Sequence, residues 1–124
     1  WERKNGAIPP GALVLVRTGW GSRWPNRDEY YGLPEELRSG TERSEAESSN
    51  NSTIDLSGPE ASNLNFPGFD ASAALFLTSE RQITGAGIDT LSIDPGNTKT
   101  FLAHKIFLKK RIFLIENAAN LHLL

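Results

Sequence analysis

The chain has 124 residues, 38% of them hydrophobic, which is enough for one small domain with its own core. Its formal net charge of −2 argues against nucleic acid or an anionic membrane as a partner, and no apolar stretch is long enough for a transmembrane helix. The absence of cysteine excludes disulfides and thiolate metal sites. With no signal peptide or membrane segment in the sequence, a cytoplasmic location is the default expectation.

The N-terminal third carries the clearest strand signal. Trp1–Gly6 is typical of the end of a helix, and Ala12–Val16 is an uninterrupted apolar run that predicts a strand buried on both faces. The glycine-rich segment Thr18–Gly21 then leaves this strand, either as an ordinary turn or as a loop that passes close to another group. Arg23–Tyr31 predicts a surface loop that leads into a short helix.

The middle of the chain is polar. Residues 39–63 offer only Ile54 and Leu56 as apolar anchors, so this segment cannot bury enough surface to offset its ordering entropy. It predicts a mobile, acidic insertion. Asn50 and Asn51 each begin a glycosylation triplet, which would matter only in a secreted protein.

The pattern after the insertion predicts alternating helix and strand. Asn65–Phe69 is a Pro-Gly turn, and Asp70 is suited to cap a helix over Ala71–Gln82 in which Leu75 and Phe76 widen the apolar face. Ile83–Asp89 predicts a second buried strand. A strand, a helix and a second strand in this order indicate a crossover unit with parallel pairing, and hence an α/β fold.

The last segment carries the candidate chemistry. Phe101–Leu108 predicts a helix, Arg111 a turn with positive φ, and Ile112–Ile115 a buried strand. His104 then lies on the helix, and Glu116 follows the strand.

Two carboxylates follow predicted strands. Asp89 and Glu116 both lie at carboxyl ends, where open α/β sheets place their ligand sites, and His104 can fold back over the same edge if the strands are neighbours. An imidazole and a carboxylate brought together there could be metal ligands or an acid–base pair. The alternative is a helix histidine and a strand-end glutamate that never meet.

Four separated segments resemble the family named "Putative cyclase", which includes bacterial-type kynurenine formamidases and isatin hydrolases. The matching segments, in the family's order, are IPPGALVLVRTGW at Ile8–Trp20, NFPGF at Asn65–Phe69, GIDTLSID at Gly87–Asp94, and His104 followed twelve residues later by Glu116-Asn117.

This resemblance implies a metal-dependent amide hydrolase with a swivelling β/β/α fold. His104 and Glu116 would be ligands of one metal ion, zinc or manganese, which suit imidazole and carboxylate. Asn117 would orient the strand end, and three residues would shape the loop beside the site: Asp89, Thr90 and Asp94.

The chain also departs from the family pattern. A His-x-Gly-Thr-His-x-Asp run with a further histidine, which supplies most metal ligands, is absent, and His122 favours a surface or packing role. The chain begins at Trp1 and has no methionine, so we expect a processed chain or a fragment, namely the C-terminal part of one cyclase-like domain spanning residues 1–124. Its metal site would be incomplete, and the chain alone inactive.

The expected activity of the complete protein is that of an arylformamidase, which converts N-formylkynurenine to kynurenine in tryptophan catabolism. One alternative is a truncated isoform or pseudoenzyme that acts as an interaction module, and another is an isatin or other cyclic-amide hydrolase. The partners implied are a small-molecule amide and further copies of the chain, because family members form dimers or larger homo-oligomers.

Overall fold

The computed structural model describes residues 1–38 and 63–124. The insertion predicted for residues 39–63 therefore lies outside the described residues except at its last position, and so do the two glycosylation triplets. None of the helices in the described ranges is both long and apolar enough to cross a membrane.

A sheet of three parallel strands forms the centre of the fold. Its strands are β1 (Leu13–Val16), β2 (Gly85–Ile88) and β3 (Phe113–Ile115), in the order β1-β2-β3. The register sets Gly87 beside Leu15 on one side and Ile115 on the other. The α/β class and the parallel pairing are confirmed, and β2 is buried along its whole length, as predicted.

The helices are short. They are α1 (Glu2–Asn5), α2 (Arg27–Tyr31), α3 (Ala71–Leu75, continued by a π-helix at Phe76–Glu80) and α4 (Leu102–Lys109), with 3-10 turns at Trp20–Arg23, Glu35–Leu37 and Leu121–Leu123. Two predicted helix ends are confirmed. Gly6 follows α1 with φ of 85°, and Asp70 caps α3 through a 2.7 Å hydrogen bond from the Ala73 amide to its carboxylate.

One face of the sheet carries the core. Helices α3 and α4 pack on this face, and their side chains meet those of β2 in a cluster that consists mainly of Ala74, Leu77, Ala86, Ile88, Ala103 and Phe107. The ring of Phe69 meets Phe107 edge to face, with centroids 5.5 Å apart. The buried alanines of this cluster let the helices approach the sheet closely.

The predicted burial of the outer strands is wrong. Leu13 in β1 is 45% exposed and Phe113 in β3 is 49% exposed, because their side chains point away from the helices and nothing among the described residues covers that face. Gly85 and Gly87 lie between the two outer strands on this face. A Cβ on Gly87 would come within 2.6 Å of Leu15, so the neighbouring side chains lean over the glycines.

The predicted helix over Ala71–Gln82 is also corrected. The α-helix ends at Leu75 and gives way to the π-helix, and the chain leaves it at Gln82 with φ of 49°. Leu75 and Phe76 do not widen the apolar face. Since Ala74 and Leu77 face the sheet, the two residues between them point outward, as the helical periodicity of 3.6 requires.

The chain reverses between α4 and β3 as expected. Arg111 occupies the turn with φ of 58°, which a residue other than glycine adopts at a cost of about 1 kcal/mol. The Ile112 amide then donates to the Phe107 carbonyl oxygen at 3.1 Å, so β3 begins directly beneath the end of α4. Because this connection is short, residues on α4 and residues that follow β3 are held close together.

Candidate metal centre

His104 and Glu116 meet at the carboxyl edge of the sheet. His104 lies in the first turn of α4, Glu116 follows β3, and the distance between His104 Nε2 and Glu116 Oε1 is 3.3 Å. Each side chain keeps about a third of its surface exposed, with 28% for His104 and 32% for Glu116. The two polar side chains that the sequence could not join are therefore neighbours, and the alternative in which they never meet is wrong.

Asp94 contacts the other nitrogen of the same imidazole. Its Oδ2 lies 2.5 Å from His104 Nδ1, and its side chain is almost completely buried. The carboxylate also accepts hydrogen bonds from the Ala103 amide at 2.8 Å and the His104 amide at 3.1 Å. A residue that was expected only to shape the loop thus makes three contacts with the start of α4.

The loop after β2 holds Glu116 as well. The Ile93 amide donates to Glu116 Oε1 at 2.8 Å, while the neighbouring residue, Asp94, binds His104. One loop therefore orients both side chains through adjacent positions. Gly68 allows this arrangement, because a Cβ there would overlap the backbone of Asp94 and Pro95.

The two donors fit adjacent positions around one divalent ion. With Zn–N and Zn–O bonds of about 2.0–2.2 Å in a tetrahedral arrangement, neighbouring donor atoms are about 3.4 Å apart, close to the 3.3 Å observed here. The donor set is nevertheless small. No group of three or more His, Cys, Asp or Glu residues suited to a metal occurs in the described parts of the chain, whereas a catalytic zinc ordinarily takes three protein ligands.

Asp89 serves a different part of the edge. Its carboxylate accepts hydrogen bonds from the Thr18 hydroxyl at 2.6 Å and from the amides of Thr18 and Gly19, each at 2.9 Å. Burial raises the pKa of Asp89, but these hydrogen bonds outweigh burial and bring the pKa below its ordinary value. The glycine-rich loop after β1 is thus fixed by an acid that follows β2.

Thr90 and Asn117 connect the two strand ends. The Asn117 backbone amide donates to the Thr90 carbonyl oxygen at 2.8 Å, and the buried Thr90 hydroxyl donates to the Ser92 carbonyl oxygen at 2.9 Å.

Tyr30 also belongs to this edge of the sheet, and sequence reasoning missed it. Its hydroxyl lies 3.0 Å from Asn117 Oδ1, and the paired aromatic residues near the end of the RWPNRDEYY segment were the only signal for it.

A cavity of about 680 Å³ opens beside these groups. Asp89 and Tyr30 contribute to its wall, and so does His122, which lies at this cavity rather than at the His104 centre. Burial raises the pKa of the Tyr30 hydroxyl, and the negative charge of Asp89 adds to this effect. His104 and Glu116 do not line the cavity, so the candidate metal centre and this cavity are adjacent but separate.

Comparisons with known proteins agree with the sequence resemblance. A family model described as "Putative cyclase" matches residues 1–95, a range that ends before His104 and Glu116. No protein with a curated functional description matches the chain.

Solved structures share the fold over the whole chain. Isatin hydrolase A from Ralstonia solanacearum is 23% identical with a TM-score of 0.74, and isatin hydrolase A from Labrenzia aggregata, bound to benzyl benzoate, is 27% identical with a TM-score of 0.67. A further isatin hydrolase, bound to the product analogue thioisatinate, is 23% identical with a TM-score of 0.71. Each match covers 100% of this chain but only 38–39% of the other. Because the family model matches well over half of the sequence, the chain belongs to the Putative cyclase family.

Proposed function

We propose that this chain supplies two ligands, His104 and Glu116, to the divalent metal site of a cyclase-family amide hydrolase. The observation that carries the proposal is the 3.3 Å separation of His104 Nε2 and Glu116 Oε1 at the carboxyl edge of a parallel sheet. The remaining ligands would come from polypeptide outside these residues, since the chain spans about two-fifths of the length of the isatin hydrolases it matches.

Zinc and manganese are the proposed metals, because both accept neutral imidazole and carboxylate ligands. When bound, such an ion supplies a Lewis acid that polarises an amide carbonyl and lowers the pKa of water. Glu116 is held for this role by the Ile93 amide, which donates to Oε1 and fixes the carboxylate beside His104. His104 is held by Asp94, so its Nε2 points along the edge toward Glu116.

The substrate that the comparisons favour is a cyclic amide such as isatin. This choice rests on structural likeness to three isatin hydrolase structures over the full length of the chain. N-formylkynurenine, the substrate of an arylformamidase in tryptophan catabolism, is the second candidate. Its formamide group, like the ring of a cyclic amide, contains an amide carbon–nitrogen bond that a metal site could hydrolyse. The complete protein would act as a homo-oligomer in either case.

A different class of function follows from the size of the donor set. If no other segment completes the site, the chain is a pseudoenzyme or truncated isoform that acts as an interaction module. The supporting observation is that the described residues contain no group of three or more His, Cys, Asp or Glu residues suited to a metal, whereas a catalytic zinc ordinarily takes three protein ligands.

Metal binding by the chain itself tests the proposal. Titration calorimetry with Zn²⁺ or Mn²⁺ should show weak binding. Loss of a residue that only hydrogen-bonds a metal ligand lowers metal affinity by about 10–100-fold, so loss of a ligand itself, in His104→Ala or Glu116→Ala, should lower it further. His122→Ala is the matched control, because it removes the other histidine of the chain from a different site. Binding that is unchanged in both site variants would contradict the proposal.

Hydrolysis of isatin and of N-formylkynurenine should be assayed with the same variants. The chain alone is expected to show little or no turnover with either metal, since two ligands do not complete a catalytic site. Robust turnover that survives both His104→Ala and Glu116→Ala would remove these residues from the reaction.

A further inference from the structure

The buried carboxylate of Asp94 performs two tasks at the start of α4. Helices leave their first amides without internal partners, and the side chain of the residue that precedes the helix usually accepts from them. Here that residue is Phe101, which has φ of 49° and no side chain able to accept. Asp94, in the loop after β2, accepts from the amides of Ala103 and His104 instead.

The same carboxylate also faces the imidazole of His104. An ionised carboxylate can only accept hydrogen bonds, so the imidazole nitrogen 2.5 Å from Asp94 Oδ2 must carry a proton. That nitrogen is Nδ1. In the neutral ring, Nε2 then has no proton and presents its lone pair, and Nε2 is the atom that faces Glu116 at 3.3 Å.

Within the described residues, Asp94 is the hydrogen-bond acceptor recorded for Nδ1. Phe101 contacts the imidazole edge to face, with ring centroids 6.4 Å apart, and supplies no hydrogen-bond acceptor. Because Asp94 is also tied to two backbone amides of α4, its position relative to the ring is fixed by the helix itself. A shift of the carboxylate would therefore break the cap and the contact with the imidazole together.

We infer that Asp94 is a positioning residue that holds His104 in the Nδ1–H tautomer and aims its Nε2 lone pair at the space beside Glu116. This inference deepens the proposed metal site, which requires a free Nε2 for coordination. In the metal-free chain Glu116 is a second acceptor beside the ring, but its Oε1 lies 3.3 Å from Nε2 whereas Asp94 Oδ2 lies 2.5 Å from Nδ1, so the one proton of the neutral ring stays on Nδ1.

The Asp94→Asn variant tests the inference. An asparagine can accept the amide of Ala103 through its oxygen, but its NH₂ group then faces the His104 ring and donates to Nδ1. The neutral ring should switch to the Nε2–H tautomer, which blocks coordination. Nitrogen-15 NMR of the metal-free chain, at a pH where the ring is neutral, should show Nδ1–H in the original sequence and Nε2–H in the variant. Affinity for Zn²⁺ should fall by about 10–100-fold.

Asp70→Asn is the matched control. Asp70 also caps a helix, at the start of α3, but it touches no histidine, so its variant should change neither the His104 tautomer nor the affinity for Zn²⁺. Equal effects of the two variants on the tautomer or on metal affinity would show that the lost charge of a capping carboxylate, not the ring contact, is responsible, and would overturn the inference.

The tautomer of the original chain decides the matter even if the Asp94→Asn protein does not fold. An Nε2–H ring in that chain would overturn the inference directly. An Nδ1–H ring in a chain whose weak Zn²⁺ binding is unchanged by His104→Ala and Glu116→Ala would support the role of Asp94 and refute the proposed metal site. The two failures are therefore distinguishable.

Discussion

Asp89 and Asp94 lie five positions apart in one loop region and are both buried, but they have unrelated partners. Asp89 fixes the glycine-rich loop after β1 through Thr18 and Gly19, whereas Asp94 binds the start of α4. The sequence grouped them as residues that shape one site. Their separate roles follow from side-chain direction, because Asp89 directly follows β2 and faces β1, while Asp94 lies beyond it, beside the helix.

Asp89→Asn should destabilise the protein by about 1–3 kcal/mol at neutral pH, since a buried acceptor of three hydrogen bonds is replaced by a side chain that can accept with only one oxygen. The folded pKa of Asp89 is lowered, so its stabilising contribution is present above its ordinary pKa and is lost as the pH falls through the lowered value. Urea unfolding at several pH values measures this effect. The variant should lose stability less steeply below pH 4 than the original chain, and a parallel pH dependence would contradict the assignment.

Among the elements, the turn before α3 supports the loop that carries Asp94. The Phe69 amide donates to the Ile93 carbonyl oxygen at 2.7 Å, and the Gly96 amide donates to the Phe66 carbonyl oxygen at 3.0 Å. The sequence identified this turn from its Pro-Gly pair. It gave no sign of which loop the turn would contact, because that depends on packing between segments 24 to 30 residues apart.

Gly68→Ala should therefore displace the Asp94 loop. The added Cβ would overlap backbone atoms that cannot rotate away, and overpacking of this kind costs about 1–3 kcal/mol. Gly21→Ala is the control, because a Cβ there meets Asp89 only at ordinary contact distances of 3.7–3.9 Å. Thermal unfolding should separate the two variants. Equal stability of both would mean that the turn and the loop are less closely packed than described.

Over the whole molecule, the two faces of the sheet differ in a way that the sequence did not predict. Parallel sheets are ordinarily covered on both faces, yet α3 and α4 cover only one. The other face displays Leu13, Phe113 and Ile115 beside the two glycines of the central strand. An apolar run looks the same in sequence whether its second face is covered or bare, which is why the prediction of buried outer strands was wrong.

This face, which none of the residues in the ranges 1–38 and 63–124 covers, should be the main binding surface for hydrophobic dyes. Phe113→Thr combined with Ile115→Thr should lower the fluorescence of a bound hydrophobic dye such as ANS, because threonine keeps the strand preference while removing apolar surface. Leu108→Gln, which removes an exposed leucine from α4, is the control and should change the fluorescence little. A larger decrease in the control than in the double variant would show that the dye binds elsewhere.

The sequence by itself determined the α/β class, the approximate positions of all three strands, the cap at Asp70, and His104 and Glu116 as the residues with candidate metal chemistry. These features depend on local patterns, namely apolar runs, turn residues and the spacing of rare polar groups. Such patterns can be recognised in the sequence without knowledge of the tertiary structure. Only the tertiary structure decided that His104 and Glu116 meet, that Asp94 and not Asp89 contacts the histidine, and that the described residues cover one face of the sheet and leave the other exposed. Each of these depends on contacts between distant segments, where a shift of one residue in strand register would redirect the side chains involved.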